Sequence, residues 1–408
     1  MNKLARHALT YFATAGIASL IIGGLLLFTL IDKYNDTRTI DAAHASATLL
    51  ALALGQTLLN TGIVAYVSTR RSYMPPPLPP IPQARTVALI PAYNEEQNIA
   101  KVVEEAKNHV DLVIVVDDGS TDATAGQAEQ AGALVIKHPH NMGYGAAVLT
   151  LMHAALKANA DYAVLLDADG QHDPRDIPKF IQALQNGADI AIGNRFAQSN
   201  VPAYRKLGIA IIRQFLRLFG VKTRDPENGY RAFTRKALET LTRELQETWM
   251  GISSQTVYIA SHKKMKITEV PTRVEYGPAT SSENPLSHGL SILWTITWTW
   301  LTEKPARTLA IGIAFLALSV ALLSYTAILF NTARYIRLTY TTLAILSEIT
   351  ATILISISLA STIKTQETRD QPHTKKLPLR GEHALALIVL GAQAAATAMA
   401  AHLVGERQ

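Results

Sequence analysis

Five long apolar runs frame a charged middle: Ala13–Ile31, Ala42–Val67, Thr308–Phe330, Tyr340–Ile363 and Ala384–Val404. They constrain the fold more than any other feature of the sequence. A helix of about 20 residues crosses a hydrocarbon core of about 30 Å, and inside lipid the backbone must satisfy its own hydrogen bonds. Each run reaches that length, so the ends of the chain are expected to be transmembrane helices around a separate polar domain. The last run is rich in Ala, which suits close helix packing, and two to three C-terminal helices are expected. The first run lacks a clear cleavage site and a second span follows closely, so it reads as an anchor rather than a signal peptide.

Basic flanks favour the cytoplasmic side of a membrane. Lys3 and Arg6 precede the first span, Arg70 and Arg71 follow the second, and the loop Lys364–Glu382 carries five Lys or Arg. The loop Asp32–Asp41 holds three Asp against Lys33 and Arg38. These place the middle domain in the cytoplasm of a multi-pass cell-membrane protein; Arg334 and Arg337 in the short loop Asn331–Thr339 run against that vote. The chain has no cysteine, which excludes disulfides, a thiol nucleophile and zinc–thiolate sites. A net charge of +6, gathered near the apolar runs, points to membrane lipids, and no basic-aromatic motif points to nucleic acid.

Met74–Pro82 is a proline run that can be neither helix nor central strand, and reads as a stiff linker. Beyond it, strand and helix patterns alternate, as in a mainly parallel α/β sheet. Strands are expected at Val87–Pro91, Asp111–Val116, Ala133–Lys137, Tyr162–Leu166 and Asp189–Gly193. Helices are expected over Glu95–Asn108, Asp122–Ala131, Ala146–Ala158 and Ile177–Asn186. The fourth strand stops abruptly in Asp167-Ala168-Asp169-Gly170-Gln171. Two carboxylates one residue apart on an extended segment face the same way, at the sheet edge where such folds bind ligands. Hard oxygen donors of this kind suit Mg2+ or Mn2+ and, through it, substrate phosphates. Pro91-Ala92-Tyr93-Asn94-Glu95-Glu96 and Asp117-Asp118-Gly119-Ser120 end the first two strands and place polar groups where a nucleotide would lie.

Taken in order, Pro91–Glu95, Asp117–Ser120, Asn141-Met142-Gly143-Tyr144-Gly145 and Asp167–Asp169 resemble the motif series of inverting glycosyltransferases of family 2, which have the GT-A fold. Ile192–Phe196, Asp225–Phe233 and Ile267–Pro271 bring the resemblance nearest to synthases of the dolichyl-phosphate mannose type, over about residues 85–285. The resemblance implies a nucleotide-sugar donor bound by Pro91, Tyr93, Asn94, Glu95, Asp117, Asp118, Gly143 and Asp167. It implies a metal at Asp169 and Gln171 with Asp167 beside it. Arg195 and Arg205 would act on phosphate groups, giving Asp167, Asp169, Arg195 and Arg205 as the catalytic set. On the acceptor side it points to Arg205, Ser253 and Arg273.

Many relatives of this kind use a carboxylate after the Asp-x-Asp as base for a sugar hydroxyl. None occurs in Trp249–Gln255, where it is expected. A phosphate acceptor is already anionic near neutral pH and needs positioning rather than deprotonation. Tyr204–Phe219, with Arg205, Lys206, Arg213 and Arg217 among apolar residues, reads as a helix lying in the membrane interface. Trp294, Trp298 and Trp300 mark a second juxtamembrane helix. The expected layout is an N-terminal transmembrane hairpin over 1–73 and a linker over 74–84. A GT-A domain over 85–284 follows, including the interface helix 204–219, then a juxtamembrane helix over 285–305 and a transmembrane region over 306–408. The expected activity is transfer of one hexose, with GDP-mannose the favoured donor, to a polyprenyl or dolichyl phosphate. UDP-glucose or UDP-GlcNAc donors, a glycerolipid hydroxyl acceptor, processive synthesis and a non-catalytic scaffold are the rivals.

Overall fold

A computed structural model describes residues 3–69, 73–195, 203–272 and 285–369. The chain divides into two compact units, Met1–Arg71 with Trp300–Gln408, and Ser72–Thr299. The expected span Ala384–Val404 lies outside the described residues.

The first unit is helical: α1 (Lys3–Thr37), α2 (Ala42–Thr69), α11 (Pro305–Ala333) and α12 (Leu338–Arg369). Among the described residues, four stretches are long and apolar enough to cross a membrane: Tyr11–Thr37, Ala43–Ala65, Pro305–Ala333 and Leu338–Thr362. Their outer faces carry large apolar side chains such as Ile21, Leu25, Phe28, Ile313 and Val320, all exposed. Water would penalise such a surface and lipid would not. Inside the bundle Ser19 donates to the Ala51 carbonyl over 2.7 Å, and Gln56 on α2 meets Thr352 on α12.

The second unit is an α/β domain. Its strands are β1 (Thr86–Ala92), β2 (Leu112–Asp117), β3 (Leu134–Lys137), β4 (Tyr162–Leu165), β5 (Ile190–Asn194), β6 (Arg231–Thr234) and β7 (Ile267–Pro271). They form one sheet in the order β3-β2-β1-β4-β6-β5-β7. Only β6 runs antiparallel to its neighbours β4 and β5. β1, β2 and β5 are almost wholly buried, as parallel strands covered on both faces must be, which is why they read as unbroken apolar runs.

The helices are α3 (Ile99–Ala106), α4 (Thr124–Gln130), α5 (Tyr144–Lys157), α6 (Ile177–Gln185), α7 (Ala203–Leu218), α8 (Arg235–Glu244), α9 (Ile252–His262) and α10 (Pro285–Glu303). Ile99, Val102, Val103 and Ala106 bury one face of α3, the spacing an amphipathic helix needs. On α7, Ile212 and Leu216 are buried while Ile211 and Leu218 are exposed.

α3 starts four residues later than its periodicity predicts. Asn94 sits in the left-handed region (φ 55°), and the N–H groups of Asn94, Glu95 and Glu96 bond Ser120 Oγ, Thr124 Oγ1 and Asp122 Oδ2. Side chains of the neighbouring loop therefore hold the segment that a helix would have claimed. The short β6 also escaped the sequence reading, because four residues of mixed polarity carry no clear period. The Trp249–Gln255 stretch is a turn running into the first turn of α9.

Candidate active site

The sheet topology assembles one edge. Ala92 at the end of β1 pairs with Asp117 at the end of β2, and Leu165 at the end of β4 pairs with Arg231. Because β6 runs the other way, it begins where its neighbours end. The segment Asp225–Arg231 is thereby delivered to the edge that holds Pro91–Glu95, Asp117–Ser120 and Asp167–Asp173.

Asp167 and Asp169 leave β4 in a loop held by its own polar groups. The Asp167 N–H donates to His172 Nδ1 over 3.0 Å, so that ring carries its proton on Nε2. His172 is buried and stacks on Tyr230 with ring centroids 4.8 Å apart, and Tyr230 donates to the Asp173 carbonyl. These contacts make His172 a brace for the loop. Asp169 accepts the Gln171 N–H at 2.9 Å and the Gln171 amide at 2.5 Å. Tyr144 donates to Asp167 Oδ1 over 3.3 Å. Burial, then the charge of Asp167, push the Asp169 carboxyl above its ordinary range. Glu95 is raised as well, by burial and by the fields of Asp169, Asp167 and Asp122. The ends of β1 and β4 thus meet electrostatically: Asp167 raises Asp169, both raise Glu95, and a cation would relieve them.

The donor set is two carboxylates and a glutamine amide. No cluster of three or more His, Asp or Glu placed to hold a metal occurs among the described residues. Two carboxylates with the remaining positions left to phosphate oxygens and water is the usual way Mg2+ is bound. The residues fit that ion.

Asp118 is buried, and its oxygens are engaged. Oδ1 accepts the Met142 N–H at 2.9 Å, Oδ2 accepts the Gly143 N–H at 2.8 Å, and His138 Nδ1 lies 2.6 Å from Oδ1. Asp118 therefore shapes the glycine loop Asn141–Gly145 at the start of α5. Asp117 Oδ1 accepts the Ser120 N–H and holds its own turn. Asn94 Oδ1 accepts the Thr121 N–H and ties the first motif to the second. Pro91 is buried, whereas Tyr93 is 45% exposed and faces outward.

Arg195 donates through Nε to Asp225 Oδ2 over 2.6 Å, and Asp225 is fully buried. Arg195 thus enters the site as half of an ion pair. Arg231, 2% exposed, donates to the carbonyls of Asn228, Ser253 and Pro226 and so knots Asp225–Arg231 to the start of α9. Glu269 on β7 holds the other flank, accepting from Thr223, the Arg224 N–H and Asn194. A Cβ at Gly229 would lie 2.9 Å from Asp167 Oδ2, so this loop forms a wall of the carboxylate site. Ser253 is buried on α9. The side chains of Arg205 and Arg273 lie outside the described residues, and so does the segment 273–284.

The family model for glycosyl transferase family 2 matches residues 87–242, from β1 into α8. The UDP-N-acetylglucosamine–dolichyl-phosphate N-acetylglucosaminyltransferase of Methanococcus voltae is 35% identical over 50% of this chain and 89% of its own length. The chain belongs to glycosyl transferase family 2. A second relative in the family, the dolichol-phosphate mannosyltransferase of Pyrococcus furiosus, is 31% identical over 45% of this chain and 54% of its own. Among solved structures, the glucosyl-3-phosphoglycerate synthase of M. tuberculosis aligns at 21% identity and a TM-score of 0.44, covering 53% of this chain and 80% of that one.

For a glycosyl transferase of family 2, the acidic group missed by the sequence reading is Glu227. No carboxylate occurs within Trp249–Gln255, yet Glu227 reaches Ser254 from another loop and accepts its hydroxyl. Burial lifts the Glu227 carboxyl to about 7, against the lowering effect of Ser254 and of Arg231. Its signal lay in the stretch Asp225–Phe233, read as a family motif but not as a source of acid–base groups.

Proposed function

We propose that this chain transfers a single sugar from a nucleotide sugar to a polyprenyl or dolichyl phosphate, inverting the anomeric carbon. The observation that carries the reading is the meeting of Glu95, Asp167 and Asp169 at one sheet edge, walled by Asp225–Arg231. Two relatives named for transfer to dolichyl or dolichol phosphate support the acceptor, and their sugars, N-acetylglucosamine and mannose, keep GDP-mannose and UDP-GlcNAc both as candidate donors. In this reading Asp169, Gln171 and Asp167 hold Mg2+ or Mn2+. The ion supplies charge neutralisation for the departing diphosphate.

Pro91, Tyr93, Asn94, Glu95 and Asp117 lie along the nucleotide, and Asp118 acts on it through the glycine loop. Arg195, fixed by Asp225, and Arg205 from α7 steady the phosphates, with Ser253 and Arg273 on the acceptor side. The acceptor oxygen attacks the anomeric carbon opposite the leaving diphosphate, and the bond to the nucleotide breaks. In this reading the four apolar helices cross the membrane, and the basic flanks favour a cytoplasmic α/β unit.

Glu227 favours a second reading, in which the acceptor is a lipid or sugar hydroxyl and Glu227 takes its proton. A carboxyl lifted to about 7 is matched to that task. One experiment separates the two. Purified protein is incubated with labelled GDP-mannose, UDP-glucose or UDP-GlcNAc, with Mg2+ or Mn2+, and with dolichyl or undecaprenyl phosphate. A single lipid-extractable product that needs the lipid phosphate, and survives Glu227→Gln, supports the first reading. A product ladder, or a product on a glycerolipid that Glu227→Gln abolishes, overturns it.

A further inference from the structure

The proline run does more than connect. Lys157 on α5 donates to the carbonyls of Leu78 and Pro79, both at 2.8 Å, and the Ala84 N–H donates to the Ala158 carbonyl over 3.0 Å. Tyr73, four residues beyond the end of α2, places its hydroxyl 2.6 Å from Thr150 Oγ1, also on α5. The whole stretch 73–84 is therefore strapped along one helix, at Thr150, Lys157 and Ala158.

That helix is not a neutral support. Its first residue, Tyr144, touches Asp167, and the loop before it is the glycine loop that Asp118 clamps. Tyr73 joins the clamp. Thr150 Oγ1 lies 2.9 Å from His138 Nε2, and His138 Nδ1 lies 2.6 Å from Asp118 Oδ1. Thr150, His138 and Asp118 are all buried. One assignment of protons satisfies every member. Asp118 accepts from His138 Nδ1–H and from the two backbone N–H groups of Met142 and Gly143. His138 Nε2 then accepts the Thr150 hydroxyl, and Thr150 Oγ1 accepts the Tyr73 hydroxyl. A chain with one direction polarises each of its bonds, and buried links of this kind fix a single geometry.

We infer that Tyr73 is a positioning residue for the donor site: the segment Tyr73–Ala84 is a strap whose hydroxyl terminus, through Thr150, His138 and Asp118, sets the glycine loop. The inference rests on the glycosyltransferase reading for what that loop binds, and on geometry alone for the strap. Burial and the field of Asp118 also hold the Tyr73 hydroxyl in its protonated, donating form. Removing the hydroxyl leaves a buried Thr150 acceptor unmatched and loosens the far end of the chain of bonds, an effect of about tenfold in an equilibrium.

The test uses the full-length protein with Tyr73→Phe, and Thr150→Val as a second break in the same chain. Backbone hydrogen exchange is followed alongside donor kinetics. In both variants the amides of 138–145 are expected to exchange about tenfold faster while those of β1 and β2 keep their rates. The rise in donor KM should exceed any fall in kcat, and the double variant should be no worse than the poorer single one. Unchanged exchange at 138–145 overturns the strap, as does acceleration spread over the whole domain. Faster exchange there with donor KM unchanged in an active enzyme overturns the positioning role. If the wild type consumes no nucleotide sugar, the functional reading fails, and the exchange data still decide the strap.

Discussion

Glu227 accepts the hydroxyl of Ser254, joining the loop before β6 to the first turn of α9. The contact fills a gap that the sequence of Trp249–Gln255 leaves open, since a carboxyl reaches that segment from 27 residues away in the chain. The case for a phosphate acceptor then rests on the relatives rather than on a missing base.

The first prediction concerns pH. Burial lifts Glu227 to about 7 from an ordinary 4.5. Its folded-state value is thus the higher one, and the folded protein holds this proton after the unfolded chain has released it. Stability from this group is fully present below about 4.5 and is lost as pH rises through about 7. The thermal midpoint of detergent-solubilised wild type should fall between about pH 4.5 and about pH 7 and level off above that, and Glu227→Gln should flatten that fall. Parallel profiles for the two proteins would show that Glu227 does not titrate there.

A second prediction contrasts two glycines. Gly143 has φ +101°, and a Cβ on it would stand 2.5 Å from the Thr248 carbonyl oxygen; Gly170 has φ +77° and open space around it. Gly143→Ala combines a left-handed backbone with an overlap against backbone, for a cost of about 2–5 kcal/mol. Gly170→Ala carries only the backbone term, about 1–2 kcal/mol. Melting curves should therefore rank wild type above Gly170→Ala and both well above Gly143→Ala. Equal midpoints for the two variants would place the Thr248 loop elsewhere.

Much of the architecture was legible because its signals are local. Lipid-spanning runs depend on length and apolarity, and β1, β2 and β5 are buried on both faces, so their sequences are plainly apolar. The Asp167–Asp169 pair was legible because a strand ending in carboxylates needs no partner to be noticed. Glu227, Arg231 and His138 were not, since each matters only through a contact made across the sheet or between loops. Arg231 stands within the motif Asp225–Phe233 with no role attached until β6, too short to carry a period, is seen to bury it. Asp118 was found but not its contacts: nothing in Asp-Asp-Gly-Ser reveals that it accepts two backbone N–H groups and lies beside His138.

Arg231 provides the third prediction. Its guanidinium, 2% exposed, donates to three carbonyls and lies in the fields of Glu227 and Asp225. Arg231→Met removes all three donors and leaves buried carboxyls without that cation, so it should cost about 3–5 kcal/mol and lower the yield of folded protein. Arg231→Lys keeps the charge but cannot fork to three acceptors, and should recover only part of the loss. Unfolding in denaturant measures both. A fully stable Arg231→Met would mean that the loop Asp225–Arg231 is held by other contacts.

The last prediction addresses the cation. Asp167 raises Asp169, and both raise Glu95, so the site carries more negative charge than it neutralises from its own residues. A divalent ion that binds only the folded state stabilises it by mass action, by about 2.7 kcal/mol at a hundred times its Kd. Mg2+ or Mn2+ should therefore raise the thermal midpoint of wild type, with a larger rise when a nucleoside diphosphate supplies the remaining oxygens. Asp169→Asn removes one carboxylate and much of the repulsion. Without metal it should melt at or above the wild-type temperature. It should lose the metal-induced rise and transfer no sugar, while circular dichroism shows it folded. EDTA should abolish turnover by wild type, and added Mg2+ or Mn2+ should restore it. Wild-type turnover by purified Asp169→Asn, or a metal-induced rise undiminished in that variant, would remove Asp169 from the metal site.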